Sequence, residues 1–214
     1  MGALVLSIHP ETPELRKIST VAEKLRDGAV ILYPTDTGYS LGCALSNKEA
    51  ISRIRSIRRM PDSQSLTFMT DSLTNIAEFA KVSNHAYKTI KRLIPGPYTF
   101  ILPASKNVPK FAQNPKRKTA GIRVPEHDLS QLLLKELGSP IISISAKTED
   151  GEIIENHDEL VKYFLQKVDV AVNQEGHDFT GESTVIDMTE EVFSILREGA
   201  GLEKARKFIE YETE

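Results

Sequence analysis

Hydroxyls and cations recur in this 214-residue chain where short apolar runs stop: Thr35 and Thr37, Arg123, Ser145 and Lys147, Ser183 and Thr184, and Arg197. Hydroxyls bond phosphate oxygens, and a guanidinium fork holds phosphate or carboxylate at two points, so the set suits a phosphorylated or doubly anionic ligand. Taken singly each has a plainer reading, Arg123 or Arg197 as a surface ion pair and Ser183-Thr184 as part of an ordinary strand. The densest cluster is Pro34-Thr35-Asp36-Thr37-Gly38-Tyr39-Ser40-Leu41-Gly42-Cys43, which follows the apolar run 29–33. Pro34 is expected to end that strand and leave Thr35, Asp36, Thr37 and Tyr39 in a loop at the carboxyl edge of a sheet. The alternative is a turn in which Asp36 and the threonines satisfy nearby backbone N–H groups.

Other chemistries find little support. His9, His85, His127, His157 and His177 lie in different elements and lack metal-ligand spacing, so no metal site is expected and they read as surface or core residues. Gly-x-Ser-x-Gly, the Walker loop and Gly-x-Gly-x-x-Gly are all missing, and Ser145 stands in Ser143-Ile144-Ser145-Ala146-Lys147 instead.

The elements that must position these residues follow from periodicity. Thr12-Pro13-Glu14 reads as cap, first-turn proline and dipole-complementing acid of a helix with Leu15, Ile18, Ala22 and Leu25 inward, closed by Gly28. A helix from about Asn47 turns Ile51, Ile54 and Ile57 inward and puts Arg55, Arg58 and Arg59 on one face. Strands are predicted at 66–69, 98–102, 119–124, 141–145, 168–172, 183–187 and 192–196, besides a first strand in the opening residues. Further helices are predicted at 73–79, at 85–93, from Asp128 as cap to 137, from Asn156 as cap to about 166, and from 202 as a short tail. The mixture argues for one α/β domain over 1–214, with its core at about 5–200 and a mixed sheet.

With 40% hydrophobic residues the chain can bury a sizeable core, and one cysteine, Cys43, excludes an internal disulfide framework and suits a cytoplasmic location. No stretch reads as a signal, an anchor or a membrane span. The net charge of −3 conceals an asymmetry, because residues 51–123 hold 14 Lys and Arg against 3 Asp and Glu. A polyanion would prefer that third if its charges converge; if they do not, they are solvated helix faces.

Several motifs then occur together in the order of one family. Pro34 to Gly42, Gly96-Pro97-Tyr98-Thr99-Phe100-Ile101-Leu102, Ile122-Arg123-Val124-Pro125, Ser143 to Ala146, Gly181-Glu182-Ser183-Thr184-Val185-Ile186-Asp187 and Leu196-Arg197-Glu198-Gly199-Ala200 resemble the YrdC-like family over about residues 5–200. The resemblance implies a twisted open α/β sheet with a basic concave surface that binds nucleotides and double-stranded RNA. The family's threonylcarbamoyl-AMP synthases join L-threonine, bicarbonate and ATP, and the product serves tRNA modification. By that resemblance Thr35, Thr37 and Tyr39 line a threonine pocket, with Arg59 beside it, and Arg58 sits near carboxylate and phosphate, so that Arg58 and Thr37 are the catalytic candidates. Arg123, Ser145, Lys147, Ser183, Thr184 and Arg197 would hold ATP. Magnesium would arrive with the triphosphate, and no tightly bound cofactor is expected.

Three positions depart from the synthase pattern. Thr37-Gly38-Tyr39-Ser40 replaces Thr-Val-Tyr-Gly, Arg58-Arg59-Met60 replaces Lys-x-Arg, and Ser145-Ala146-Lys147 replaces Ser-Ala-Asn. All three resemble the YciO branch of the family. Three readings follow: a nucleotide- and RNA-binding protein with synthase-type chemistry, a hydrolase or transferase acting on a related adenylate or modified nucleotide, and a non-catalytic module for tRNA or double-stranded RNA. In the last, Arg55, Lys88, Lys91, Arg92, Lys116, Arg117 and Lys118 would contact phosphates.

Overall fold

The computed structural model describes residues 2–61, 64, 66–174, 176, 177 and 179–209. Its strands are β1 (Leu4–Ser7), β2 (Ile31–Thr35), β3 (Gly38–Ala44), β4 (Thr67–Met69), β5 (Tyr98–Pro103), β6 (Thr119–Arg123), β7 (Ile141–Ser145), β8 (Val170–Asn173), β9 (Thr184–Asp187) and β10 (Ser194–Arg197). They form one mixed sheet in the order β1-β8-β2-β3-β7-β4-β6-β5-β9-β10. The helices are α1 (Leu15–Arg26), α2 (Lys48–Ile57), α3 (Leu73–Phe79), α4 (Asn84–Leu93), α5 (Asp128–Leu137), α6 (His157–Phe164) and α7 (Leu202–Ile209).

Alternation along the strands gives the sheet two unlike faces. Leu32, Leu41, Phe68, Phe100, Ile122 and Ile142 point to one of them and pack under Ile54, Ile76, Ile90 and Phe164 from the helical layer of α2, α3, α4 and α6. On the other face Ile31, Tyr33, Ile141, Val170 and Val172 pack against Ile18, Leu25, Leu129 and Leu133 of α1 and α5. Each of these fully buried side chains contributes about 1.5–3 kcal/mol of transfer free energy. Only that first half of the second face is covered. Beyond Tyr33 and Ile141 the same face carries the hydroxyls of Ser40, Thr67, Thr99 and Ser143 among Met69, Ile101 and Val185, and these side chains line an open cavity.

The twisted mixed sheet matches the sequence expectation, and several local details differ from it. Pro34 does not end β2; it sits inside the strand, opposite Tyr39. The tolerance has a simple cause: β8 pairs only with Ile31 and Leu32, so no donor is required on that side of Pro34. The expected loop is therefore a hairpin, with Asp36 and Thr37 between the paired Thr35 and Gly38. Gly38 has φ +117°, and a Cβ there would meet the Phe179 ring at 3.0 Å.

Thr12 caps nothing. Its hydroxyl bonds His9 Nδ1 at 3.1 Å, and Glu14 occupies the cap position of α1. The cap of α5 is His127, whose Nδ1 accepts from the Ser130 N–H, rather than Asp128. Finally, α2 ends at Ile57, with Arg58 as its C-cap and Arg59 at φ +45°, so the three arginines do not share a helix face.

Candidate functional site

The uncovered half of the second face is a cleft of about 480 Å³. Its floor is built by register. Ser40 of β3 stands opposite Ser145 of β7, Ser143 opposite Thr67 of β4, Met69 opposite Arg123 of β6, and Thr99 of β5 opposite Val185 of β9. Each of these side chains lines the cavity. Strand alternation thus sets a row of hydroxyls on one surface while the intervening Leu41, Phe68, Phe100 and Ile142 build the core beneath.

Four cations join the floor: Arg58, Arg123, Lys147 and Arg197. Arg58 leaves the end of α2 and donates from Nε to the Ser145 carbonyl at 3.3 Å and from a terminal nitrogen to the Thr148 carbonyl at 3.0 Å. Burial pulls its pKa below the ordinary guanidinium value, against the charges of Glu182 and Tyr163. Arg123 is 5% exposed, pairs with Asp36 at 2.5 Å and donates to Thr37 Oγ1 at 3.0 Å. Its Nε is buried with no hydrogen-bond partner among the described residues.

Arg197 is locked at three points: Nε to the Ser183 carbonyl, one terminal nitrogen to Ser183 Oγ and the other to Glu182 Oε1, each at 3.0 Å. Ser183 Oγ also meets Thr99 Oγ1 at 2.9 Å. The two backbone segments touch closely here, because a Cβ on Gly199 would lie 2.2 Å from the Glu182 carbonyl oxygen. Lys147 Nζ reaches the same Glu182 Oε1 at 2.8 Å. Partial burial works to raise the Glu182 pKa, but the Lys147 hydrogen bond and the charges of Arg197, Lys147 and Arg58 outweigh it and hold the carboxyl below its usual range.

Of the sequence candidates, Arg58, Arg123, Ser145, Lys147, Ser183 and Arg197 converge on this cleft. The others do not line it. Thr35 is fully buried and donates to the Gly38 carbonyl at 2.8 Å, and Thr37 supports Arg123 from behind. Tyr39 and Thr184 fall on the opposite parity of their strands. Tyr39 turns to His157 Nε2 at 3.1 Å, and Thr184 donates to the Ala200 carbonyl at 2.9 Å. Arg59 points away to Glu149 at 2.5 Å.

The basic third does not gather in the cleft either. Arg55, expected on an RNA surface, is 7% exposed and donates to the carbonyls of Pro61 and Gln64, which fold the chain back after α2. Lys88, Lys91 and Arg92 are exposed on α4, across the sheet from the cleft, and Arg92 lies over the Phe208 ring. Lys116, Arg117 and Lys118 are exposed on the turn before β6, with Arg117 paired to Asp187 at 2.6 Å. Arg58 and Arg123 are the two members of that third that line the cleft, and its other cations come from outside it.

Sequence reasoning missed Ser40, Thr67, Thr99, Ser143 and Glu182. Alternation within strands already recognised was the available signal for Thr67, Thr99 and Ser143, whereas Ser40 lies on β3, which was read as a loop. Three histidines expected to be scattered meet around Tyr39. His157 and His177 each lie 5.4 Å from its ring, and His127 lies 5.1 Å from His177. Burial and then the neighbouring His177 push the His127 imidazole down to about 4. Among the described residues no group of three His, Cys, Asp or Glu is placed to hold a metal ion, and no helix is long and apolar enough to cross a membrane.

The sequence profile of the Sua5/YciO/YrdC family, described as telomere recombination, matches residues 23–199. The chain is 40% identical to the uncharacterized protein YciO of Escherichia coli over 195 residues, 91% of this chain and 94% of that protein. The crystal structure of E. coli YciO superposes with a TM-score of 0.89 over 95% of this chain and 98% of that one, at 36% identity. A threonylcarbamoyl-AMP synthase of Chromobacterium violaceum is 35% identical over 138 residues, 64% of this chain and 71% of that one. P. abyssi Sua5, crystallised with L-threonine, gives a TM-score of 0.88 at 28% identity over 97% of this chain and 61% of that longer one.

Proposed function

The chain belongs to the Sua5/YciO/YrdC family, and on that premise we propose that its cleft binds the phosphates of ATP beside a small carboxylate-bearing substrate and carries out threonylcarbamoyl-AMP synthase-type chemistry. The observation that carries this reading is the convergence of Arg58, Arg123, Lys147 and Arg197 with a floor of serine and threonine hydroxyls on one open sheet face. In such a reaction the carboxylate of N-carboxythreonine attacks the α-phosphate and pyrophosphate leaves. Anions crowd together, and fixed cations offset their repulsion. The roles divide by position. Arg197 and Ser183 present prearranged donors at one side, and Arg58 and Ser145 face them from the other. Arg123, oriented by Asp36 and Thr37, adds its positive charge from below. Magnesium enters as part of the triphosphate substrate. A cytoplasmic setting belongs to this reading, in keeping with the lone reduced Cys43.

Calorimetric titration of magnesium ATP into wild type and Arg197→Met tests the assignment. Binding by the wild type, weakened about tenfold or more in the variant, supports it; equal affinity in the two proteins removes the cleft as the phosphate site.

A second reading is favoured by one observation, the exposed Lys88, Lys91 and Arg92 on α4 with Tyr87, 45% exposed, among them. A tRNA or double-stranded RNA would meet that helix through its phosphates, on the face away from the cleft.

A further inference from the structure

Among the described residues Glu182 is the acid that lines the cleft, and one of its carboxylate oxygens, Oε1, lies between two of the four cations, 2.8 Å from Lys147 Nζ and 3.0 Å from Arg197. That is the seat a ligand oxygen would take. The backbone of Glu182 is held, with its carbonyl accepting from the Ala200 N–H at 2.7 Å and packed against Gly199. Its side chain is 28% exposed and ends in the cleft, so the carboxylate can swing out while the chain stays fixed.

We propose that Glu182 is an internal occupant of the cleft: its carboxylate sits in the anion seat between Lys147 and Arg197, and a phosphoryl group must displace it to bind. The inference rests on the reading that this cleft takes phosphates. The occupant makes the site selective by charge. A single carboxylate ligand gains nothing by replacing Glu182, because it would exchange one carboxylate for another and strand the first. A phosphoryl group carries more charge and more acceptor oxygens, so it satisfies both cations while Glu182 moves to solvent. Two of the cleft cations are thereby kept from weak anions. Arg58, whose partners among the described residues are two carbonyl oxygens, remains to meet a carboxylate.

The test is pyrophosphate binding by calorimetry, in EDTA and again with magnesium, for wild type, Glu182→Gln and Glu182→Asp. Gln keeps the shape and removes the charge. Asp keeps the charge and withdraws it by one methylene from the two cations. Displacement predicts that both variants bind pyrophosphate in EDTA more tightly than wild type, Gln by about tenfold, the scale of one charge-assisted hydrogen bond. It also predicts that acetate binds the Gln variant more tightly than the wild type. Tightening in Gln with Asp unchanged would reduce Glu182 to a diffuse field and overturn displacement. Weaker binding of magnesium pyrophosphate by Gln would make Glu182 a ligand of the substrate's metal and also overturn it. Wild-type binding that both variants merely equal defeats this inference alone, whereas no binding of pyrophosphate or ATP by any of the three proteins defeats the phosphate reading as well.

Discussion

Arg123 and Asp36 form an ion pair at 2.5 Å with side chains only 6% and 8% exposed, joining the β2–β3 turn to the end of β6 beneath the cleft. Asp36 also accepts from the Glu126 N–H at 3.1 Å, and Thr37 takes a second Arg123 donor. Removing one partner strands the other charge in a dry place. Arg123→Met should therefore cost about 3–5 kcal/mol in chemical denaturation, and adding Asp36→Asn to it should return part of that loss. A double variant less stable than Arg123→Met would show that the pair is not the source.

The stability of the fold should depend on pH through His127. Its imidazole stays neutral in the folded state down to about 4, against an ordinary 6.5, because burial and then His177 disfavour the charge, while Asp36 and Asp128 nearby favour it. Between these values the unfolded chain holds the extra proton. Stability therefore falls as pH drops from about 6.5 and levels off below about 4, by at most about 3 kcal/mol. His127→Asn keeps a cap acceptor for α5 and should flatten melting temperature against pH across that window. An unchanged slope would place the titration elsewhere.

Tyr39 and Thr67 test the assignment of strand faces. Tyr39→Phe removes a buried hydroxyl bonded to His157 and Gln174 and should lower stability by about 1 kcal/mol with ATP affinity unchanged. Thr67→Leu, on the cleft floor, should leave stability within about 0.5 kcal/mol and weaken ATP binding by crowding the cavity. The opposite pattern in titrations of the two variants would mean that the ligand uses the other side of the sheet.

Replacing Lys88, Lys91 and Arg92 together by Gln should lower the affinity for a tRNA and flatten its salt dependence by about three phosphate contacts, with ATP binding untouched. Filter-binding assays over a range of salt give the slope. A slope equal to that of wild type would remove α4 as an RNA surface.

Much of the scaffold was legible because local signals agreed with burial. Gly138 closes α5 at φ +70°, Asn156 caps α6 through Glu159, and the apolar 141–145 run is β7. Pro34 misled because proline is kept out of a strand only where a neighbour needs its N–H, and the sheet order alone shows that β8 stops short of it. Arg58 and Arg59 misled because helical spacing was carried past Ile57, where the chain turns back under the grip of Arg55. The charge asymmetry of the middle third says nothing about direction, and the fold sends α4 to the opposite side from Arg123. Parity inside the recognised 183–187 strand, Ser183 against Thr184, would have separated cleft from core residues, but the same rule for Ser40 against Tyr39 needed β3, which was read as a loop. Glu182 carries no spacing signal, since its meaning comes from Lys147 and Arg197 meeting it from distant parts of the chain.

The most direct test of the central claim is mass-spectrometric detection of threonylcarbamoyl-AMP after incubating the pure protein with L-threonine, bicarbonate and magnesium ATP, beside Arg58→Ala. Product from wild type and its loss in Arg58→Ala, whose side chain spans from the end of α2 to the β7 rim of the cleft, is the predicted result. No product from a wild type that binds ATP, or equal product from both proteins, would contradict it.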